Sequence, residues 1–417
     1  MYNRAIIMRI RYLSLTNFRN YARLELTLPE QPVLLHGGNA QGKTSLLEAV
    51  YLLAAGSSPL ASSDRELIRW QAEDEGLPYA RVWAEVERRD RTLELDVTLE
   101  KRTLSNGTQR LRKTVRVDRT KKRRSALSGK LNVVLFTPQN VDLVAGSPSG
   151  RRRYLNDSLC QVQRSYSDAL GRYEKALRQR NAALRHVRDE GGNPAQLAPF
   201  EGALARNGVI IARRRREFLD NLSLRVKRIH QRLTGGEEWL RLDYQPNFDP
   251  ATPPVLKHEM GMDLAPGREP PADPDLEDLV EAYRRALVER RSREIPRGVT
   301  VFGPHRDEIR FIAGGPSMGI HDVDLGTYGS RGQQRTAVLS LKLAELRWMR
   351  EETRETPVLL LDEVLAELDR NRRAYLLEQV NSVEQSVATA TDPEMFSAEF
   401  VEAAATLKVA AGIVRQE

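Results

Sequence analysis

The sequence predicts an α/β protein, with a head carrying an antiparallel β subdomain and interrupted by an inserted helical-hairpin arm. Three observations predict it. Pro32-Val33-Leu34-Leu35-His36 is a short buried strand that runs into a glycine-rich turn and then a helical stretch, the entry to an α/β fold. Leu93, Leu95, Val97 and Leu99 alternate with Glu94, Asp96, Thr98 and Glu100, the period-2 mark of a half-exposed antiparallel strand. From Arg151, apolar residues step by fours and threes at Leu155, Leu159, Val162, Tyr166, Leu170, Tyr173 and Leu177, the stripe of an amphipathic helix. The 417 residues divide accordingly into a first head segment (1–150), an inserted helical arm (151–295) and a second head segment (296–417).

Taken in order, residues 10–29 read as two short strands around Asn17-Phe18-Arg19-Asn20-Tyr21, with Met8 opening the first. The segment from Met1 to Met8 is too short for a signal peptide. Residues 45–53 have helical spacing at Leu46, Leu47, Val50 and Leu53. Ser105-Asn106-Gly107 joins two strands, Asn-Gly being a strong hairpin signal. Arg119-Thr120-Lys121-Lys122-Arg123-Arg124 is the densest basic run. The helical stripe breaks at Gly191-Gly192-Asn193-Pro194. A second stripe places Leu222, Val226, Ile229 and Leu233 on one face and ends at Gly235-Gly236. An antiparallel hairpin with arms on the order of 50 Å follows from these lengths. Residues 246–275, rich in proline and acid, read as a loop. Residues 276–293 are helical, and strand-like runs return near Val299 and Ile309.

Composition excludes several classes. No run of about 18 apolar residues exists, so no membrane span is expected. The single cysteine, Cys160, excludes an intramolecular disulfide and a cysteine-built zinc site. A reducing, cytoplasmic setting suits this usage. Lys and Arg outnumber Asp and Glu 65 to 57, a formal charge of +8, which favours a polyanionic partner.

Gly37-Gly38-Asn39-Ala40-Gln41-Gly42-Lys43-Thr44 matches G-x-x-x-x-G-K-[ST] in full, and Ser45 follows. Glycines let successive N–H groups turn inward around a phosphate, and the helix N-terminus adds its dipole. Lys43 is expected to reach the β- and γ-phosphates of ATP, and Thr44 to offer its hydroxyl to Mg²⁺. Val358-Leu359-Leu360-Leu361-Asp362-Glu363 is a buried strand with two carboxylates at its C-terminal end, where α/β sheets hold ligands. Asp362 suits the metal, and Glu363 suits a general base for the attacking water. Ser330-Arg331-Gly332-Gln333 precedes a helix spanning 336–350, an arrangement that serves either an anion or an ordinary helix cap.

These motifs, in this order, resemble the ABC class of P-loop ATPases. Ser330, Gly332 and Gln333 then correspond to its signature, whose serine reaches a γ-phosphate held by the other subunit. Gln139 corresponds to the Q-loop glutamine, a nucleotide and Mg²⁺ contact, and Asp369 to the D-loop. Thr391 stands at the position of the switch histidine, so slow hydrolysis is expected. Two longer stretches resemble the RecF family in particular. The first runs from Pro138 through Leu143-Val144-Ala145-Gly146-Ser147-Pro148 to Arg151-Arg152-Arg153-Tyr154-Leu155-Asn156, departing at Gln139 and Asn156, where acids are expected. The second is Leu360-Leu361-Asp362 through Ala366-Glu367-Leu368-Asp369-Arg370-Asn371-Arg372 to Leu376. Asn17-Phe18-Arg19-Asn20-Tyr21 and Gly303-Pro304-His305-Arg306-Asp307 are similar to RecF segments as well.

The resemblance implies an ABC-type ATPase head with a short arm, and an ATP-dependent homodimer on duplex or gapped DNA. It also implies partnership with RecR and RecO in placing RecA. Lys121, Lys122, Arg123, Arg124, Arg151 and Arg152 are the candidate DNA contacts. A chromosome organiser of the SMC type would need far more coiled coil between Gln139 and Ser330.

Overall fold

The computed structural model describes residues 8–103, 108–249, 275–316 and 319–416. The Ser105-Asn106-Gly107 turn and most of the proline-rich loop lie outside them. Fifteen strands form three sheets among the described residues. The first is antiparallel, in the order β2-β1-β4-β5-β6-β7: β1 (Met8–Phe18), β2 (Tyr21–Thr27), β4 (Tyr79–Arg88), β5 (Thr92–Thr103), β6 (Gln109–Val117) and β7 (Thr120–Lys122). Its inward face is the expected one, with Leu93, Leu95, Val97 and Leu99 buried. Asp96, expected outside, is buried as well, because Arg81 and Arg116 reach its carboxylate at 2.7 and 3.6 Å.

The central sheet holds the site. Its order is β15-β14-β3-β13-β12-β8, with β3 (Val33–His36), β8 (Val133–Phe136), β12 (Val358–Asp362), β13 (Ser386–Ala390), β14 (Ala405–Ala410) and β15 (Ile413–Gln416). All pairs are parallel except β14–β15. The buried strands β3 and β8 are apolar at every position except His36, as strands covered on both faces tend to be. Helix α1 (Lys43–Ala55) lies on one face beneath the antiparallel sheet.

The helical insertion contains α2 (Pro148–Val162), α3 (Arg164–Glu190), α4 (Ala198–Leu233) and α5 (Leu276–Glu289). The stripe expected as one continuous helix is two helices, because Gln163 adopts φ −110° and ψ 101° between them. Glycine 191 ends α3 in the left-handed region, as its position in the sequence predicts. At 1.5 Å per residue α3 spans ~40 Å and α4 ~54 Å. Rather than projecting freely, α4 packs along α6 (Arg331–Thr353), and one apolar cluster runs from Tyr166 and Phe218 to Trp348 and Leu361. The Phe218 and Trp348 rings meet edge to face, 4.4 Å between centroids.

The third sheet, β11-β10-β9, was only partly expected: β9 (Trp239–Gln245), β10 (Glu308–Gly315) and β11 (Gly319–Asp324). The run at Val299 is not a strand. The Thr300 and Val301 N–H groups donate to the side chains of Asn181 and Glu294, at 2.8 and 2.7 Å. These bonds satisfy the backbone without a neighbouring strand.

Candidate nucleotide-binding site

The phosphate loop joins β3 to α1. Gly37 sits at φ 145°, and a Cβ there would stand 2.2 Å from the Val409 carbonyl oxygen. Gly42 sits at φ 118°, where a Cβ would meet the Asn20 amide at 2.7 Å. Only glycine fits either place. The loop is tied from outside: Asn20 Nδ2 donates to the Gln41 carbonyl at 2.9 Å and the Tyr21 hydroxyl to the Gly42 carbonyl at 3.0 Å. The Ala411 N–H donates to Gln41 Oε1 at 2.7 Å. Asn20 and Tyr21, which carried a resemblance in the sequence, thus brace the phosphate loop.

Lys43 Nζ donates to the carbonyls of Gly37 and Gly38 at 2.6 and 3.0 Å and pairs with Glu363 at 3.1 Å. The Thr44 hydroxyl donates to Asp362 at 2.9 Å. Because β12 and β13 pair with Asp362 opposite Thr389, the Thr389 hydroxyl donates to Asp362 Oδ1 at 2.9 Å and accepts from the Glu363 N–H at 3.0 Å. Burial pushes the Asp362 carboxyl up, and the Thr44 and Thr389 hydroxyls pull against it. Glu363 is in the left-handed region, at φ 52° and ψ 19°, which turns its carboxylate back towards Lys43. The cleft around these groups has a volume of 790 Å³ and is lined by Asn39, Ala40, Gln41, Lys43, Thr44, Ser45 and Glu363, with Trp70 at its edge. The Trp70 indole is 74% exposed.

Other expected residues lie elsewhere. Gln139 lies in a short helical turn after β8 (Pro138–Val141) and lines a different cavity with Thr137, Asp142 and Lys342. Thr391 lies just beyond β13, and the hydroxyl that engages Asp362 is that of Thr389, two residues earlier. Ser330 and Gln333 form a reciprocal capping box on α6: Ser330 Oγ accepts from the Gln333 N–H at 3.2 Å and Gln333 Oε1 from the Ser330 N–H at 2.9 Å. Gly332 lies in the first turn of that helix. Asp369 caps α7 (Arg370–Val380), accepting from the Asn371 and Arg372 N–H groups. Neither cap lines the cleft of its own chain.

The family model for the RecF/RecN/SMC N terminal domain matches residues 9–413. A DNA replication and repair protein RecF from Chloroflexus aurantiacus is 40% identical over 419 residues, covering 98% of this chain and 99% of the relative. The chain belongs to the RecF family. That places it among proteins of DNA replication and repair. A RecF from Roseiflexus castenholzii is 39% identical over 416 residues, covering 97% and 99% of the two chains. Among solved structures, the recombination mediator RecF with ATP, in the RecFOR pathway, superposes with a TM-score of 0.80 at 28% identity, covering 100% of both chains.

The basic candidates in this RecF-family chain divide into two groups. Lys121, Lys122 and Arg123 are exposed at the edge strand β7 and beyond it. Arg124 instead donates to the Ala55 carbonyl at 2.9 Å and the Ser57 hydroxyl at 3.1 Å, closing the end of α1. Arg151 is committed to Glu308 at 2.7 Å and to the Gly146 carbonyl at 2.8 Å. These bonds make it a structural brace between the two segments. Arg152 donates to the Asp307 carbonyl at 2.9 Å. Among the described residues no helix is long and apolar enough to cross a membrane.

Proposed function

We propose that this chain is an ATP-driven, sequence-independent DNA-binding protein of recombinational repair and replication restart. The observation that carries the reading is the cluster of Lys43, Thr44, Asp362, Glu363 and Thr389 at the end of the central sheet. A hydroxyl and a carboxylate 2.9 Å apart form the hard oxygen donor set that suits Mg²⁺. Thr44 and Asp362 would hold that ion, which when bound neutralises charge on the β- and γ-phosphates. Lys43 then exchanges its carbonyl and carboxylate partners for phosphate oxygens. Glu363, released from Lys43, orients and deprotonates water. Trp70 offers a face for the adenine, since an exposed indole beside the phosphate loop gains by stacking.

Ser330, remote from its own cleft, serves the nucleotide of a second copy, so that ATP closes a dimer. The relative solved with ATP supports the nucleotide. The RecFOR pathway named for that relative supports RecR and RecO as partners in placing RecA. DNA retention on gapped duplex, with ATP, ADP and no nucleotide, tests the reading. Retention that is strongest with ATP and lost in Lys43→Ala is expected. Equal retention in all three states would count against it.

A further inference from the structure

Two family-like stretches have no part in the nucleotide cleft, Arg151-Arg152-Arg153 and Gly303-Pro304-His305-Arg306-Asp307. Although about 150 residues apart in sequence, they meet at a second cavity of 450 Å³. It lies between the serine-rich loop that follows α1 and the feet of α2 and α3, and Arg124, Arg152, Arg153, Ser62, Ser149 and His305 line it.

The cavity has cationic donors to spare. Arg215, on its inner wall, is saturated, bonded to Asp307 at 2.7 Å, Asn156 at 2.8 Å and the Pro304 carbonyl at 2.6 Å. Arg152 makes one bond, to the Asp307 carbonyl at 2.9 Å, and Arg153 one, to the Ala61 carbonyl at 3.3 Å. A guanidinium has five N–H donors, so most of theirs remain for a ligand. The nearby carboxylates are engaged or peripheral. Asp157 is held by Ser57 at 2.8 Å and Arg124 at 3.5 Å, Asp64 by Lys113 at 2.6 Å, and Glu174 stands exposed at the rim.

His305 adds no charge. Its Nε2 donates to the Thr300 carbonyl at 3.0 Å, which leaves Nδ1 to accept from the Tyr173 hydroxyl at 2.6 Å. Burial, then the neighbouring Arg215, push the Arg152 guanidinium below its usual range. An anion beside Arg152 would offset both by favouring the charged guanidinium.

Underfilled guanidiniums and serine hydroxyls around one half-enclosed space complement an anion with several oxygens. We propose that this cavity takes a phosphate group, supplied by the backbone of a bound DNA strand. DNA is favoured over free phosphate because Arg124, on the cavity wall, continues directly from the exposed Lys121-Lys122-Arg123 run. A strand following that run is led into the cavity. The inference rests on the DNA-binding reading and gives it a place.

The test is the salt dependence of gapped-duplex binding, with ATP, for wild type and the double variant Arg152→Gln/Arg153→Gln. Each lost phosphate contact flattens the slope of log K against log salt by about 0.9, so the double variant should be shallower by about 1 to 2. Unchanged ATP binding by the variant verifies its fold. If it does not fold, Arg153→Gln alone, at an exposed side chain, should flatten the slope by about 0.9. An unchanged slope with wild-type affinity would overturn the proposal while leaving DNA binding itself intact. Thermal stabilisation by inorganic phosphate that the variant loses, with the DNA slope unchanged, would assign the cavity to free phosphate and overturn the DNA assignment. Displacement of a polyglutamate probe by the same substitutions, again without a slope change, would overturn it in favour of an acidic protein. Absence of DNA binding by wild type would overturn the underlying reading.

Discussion

At Glu363 the left-handed backbone turns the carboxylate to within 3.1 Å of Lys43. That ion pair occupies both the base and the phosphate-binding ammonium, so a bound triphosphate must separate them before Glu363 can act on water. Glu363→Gln keeps the size of the side chain and its hydrogen-bonding oxygen but removes the proton acceptor. Turnover of ATP should fall roughly 10²- to 10⁴-fold, with ATP-dependent DNA retention prolonged. Turnover at the wild-type rate would move the base elsewhere. His305 gives a separate signature. Burial holds its imidazole at about 4, against about 6.5 in an unfolded chain. The unfolded chain therefore takes up a proton that the native one refuses. Stability from the neutral ring is fully present above about 6.5 and is lost as pH falls towards 4, on the order of 3 kcal/mol. Thermal unfolding of wild type and His305→Gln across that window should show the wild type losing more. Parallel curves would refute the assignment.

Among elements, the Arg151–Glu308 pair joins the foot of α2 to β10, with two further bonds to the carbonyls of Val144 and Gly146, at the end of the short helical turn before α2. Arg151→Ala should destabilise the protein by about 2–3 kcal/mol, as lost charged hydrogen bonds do. Denaturant unfolding measures this, and DNA affinity should change little. A large loss of DNA affinity without destabilisation would restore Arg151 as a contact. Elements whose periodicity is local were legible in the sequence: β5 from its alternation, α4 from its stripe, α1 from the motif that opens it. The break at Gln163 was not, because the apolar spacing from Leu159 through Val162 to Tyr166 continues across a one-residue interruption. The strand β9 was missed although Leu240, Leu242 and Tyr244 alternate with Arg241 and Asp243, since it begins three residues after the glycine pair that ends the helical stripe. Val299 misled because its β-branched neighbours have their backbone satisfied by side chains from α3 and the segment after α5. In the site, Lys43, Thr44, Asp362 and Glu363 were legible because each belongs to a contiguous motif. Thr389 was not, because only the β12–β13 register brings it to Asp362.

For the whole molecule, the separation of Ser330 from the cleft of its own chain predicts a monomer that dimerises with ATP. Sedimentation with ATP, ADP and no nucleotide should show a dimer with ATP alone. Ser330→Arg should abolish that dimer while one subunit still binds nucleotide, because the substitution leaves the phosphate loop untouched. A dimer of equal strength in all three states would exclude the shared site.

The order of the central sheet bears on how the protein is made. Strand β3 has β13 on one side and β14 on the other, and β8 touches only β12. The two strands that emerge first from the ribosome are therefore not neighbours. Each waits for partners encoded more than 220 residues later. Such long-range pairing folds slowly, and the phosphate loop stays unsupported on its C-terminal side until Ala411 has been translated to bond Gln41. A nascent chain thus lacks Asp362, Glu363 and the Ala411 brace on the phosphate loop until synthesis is almost over.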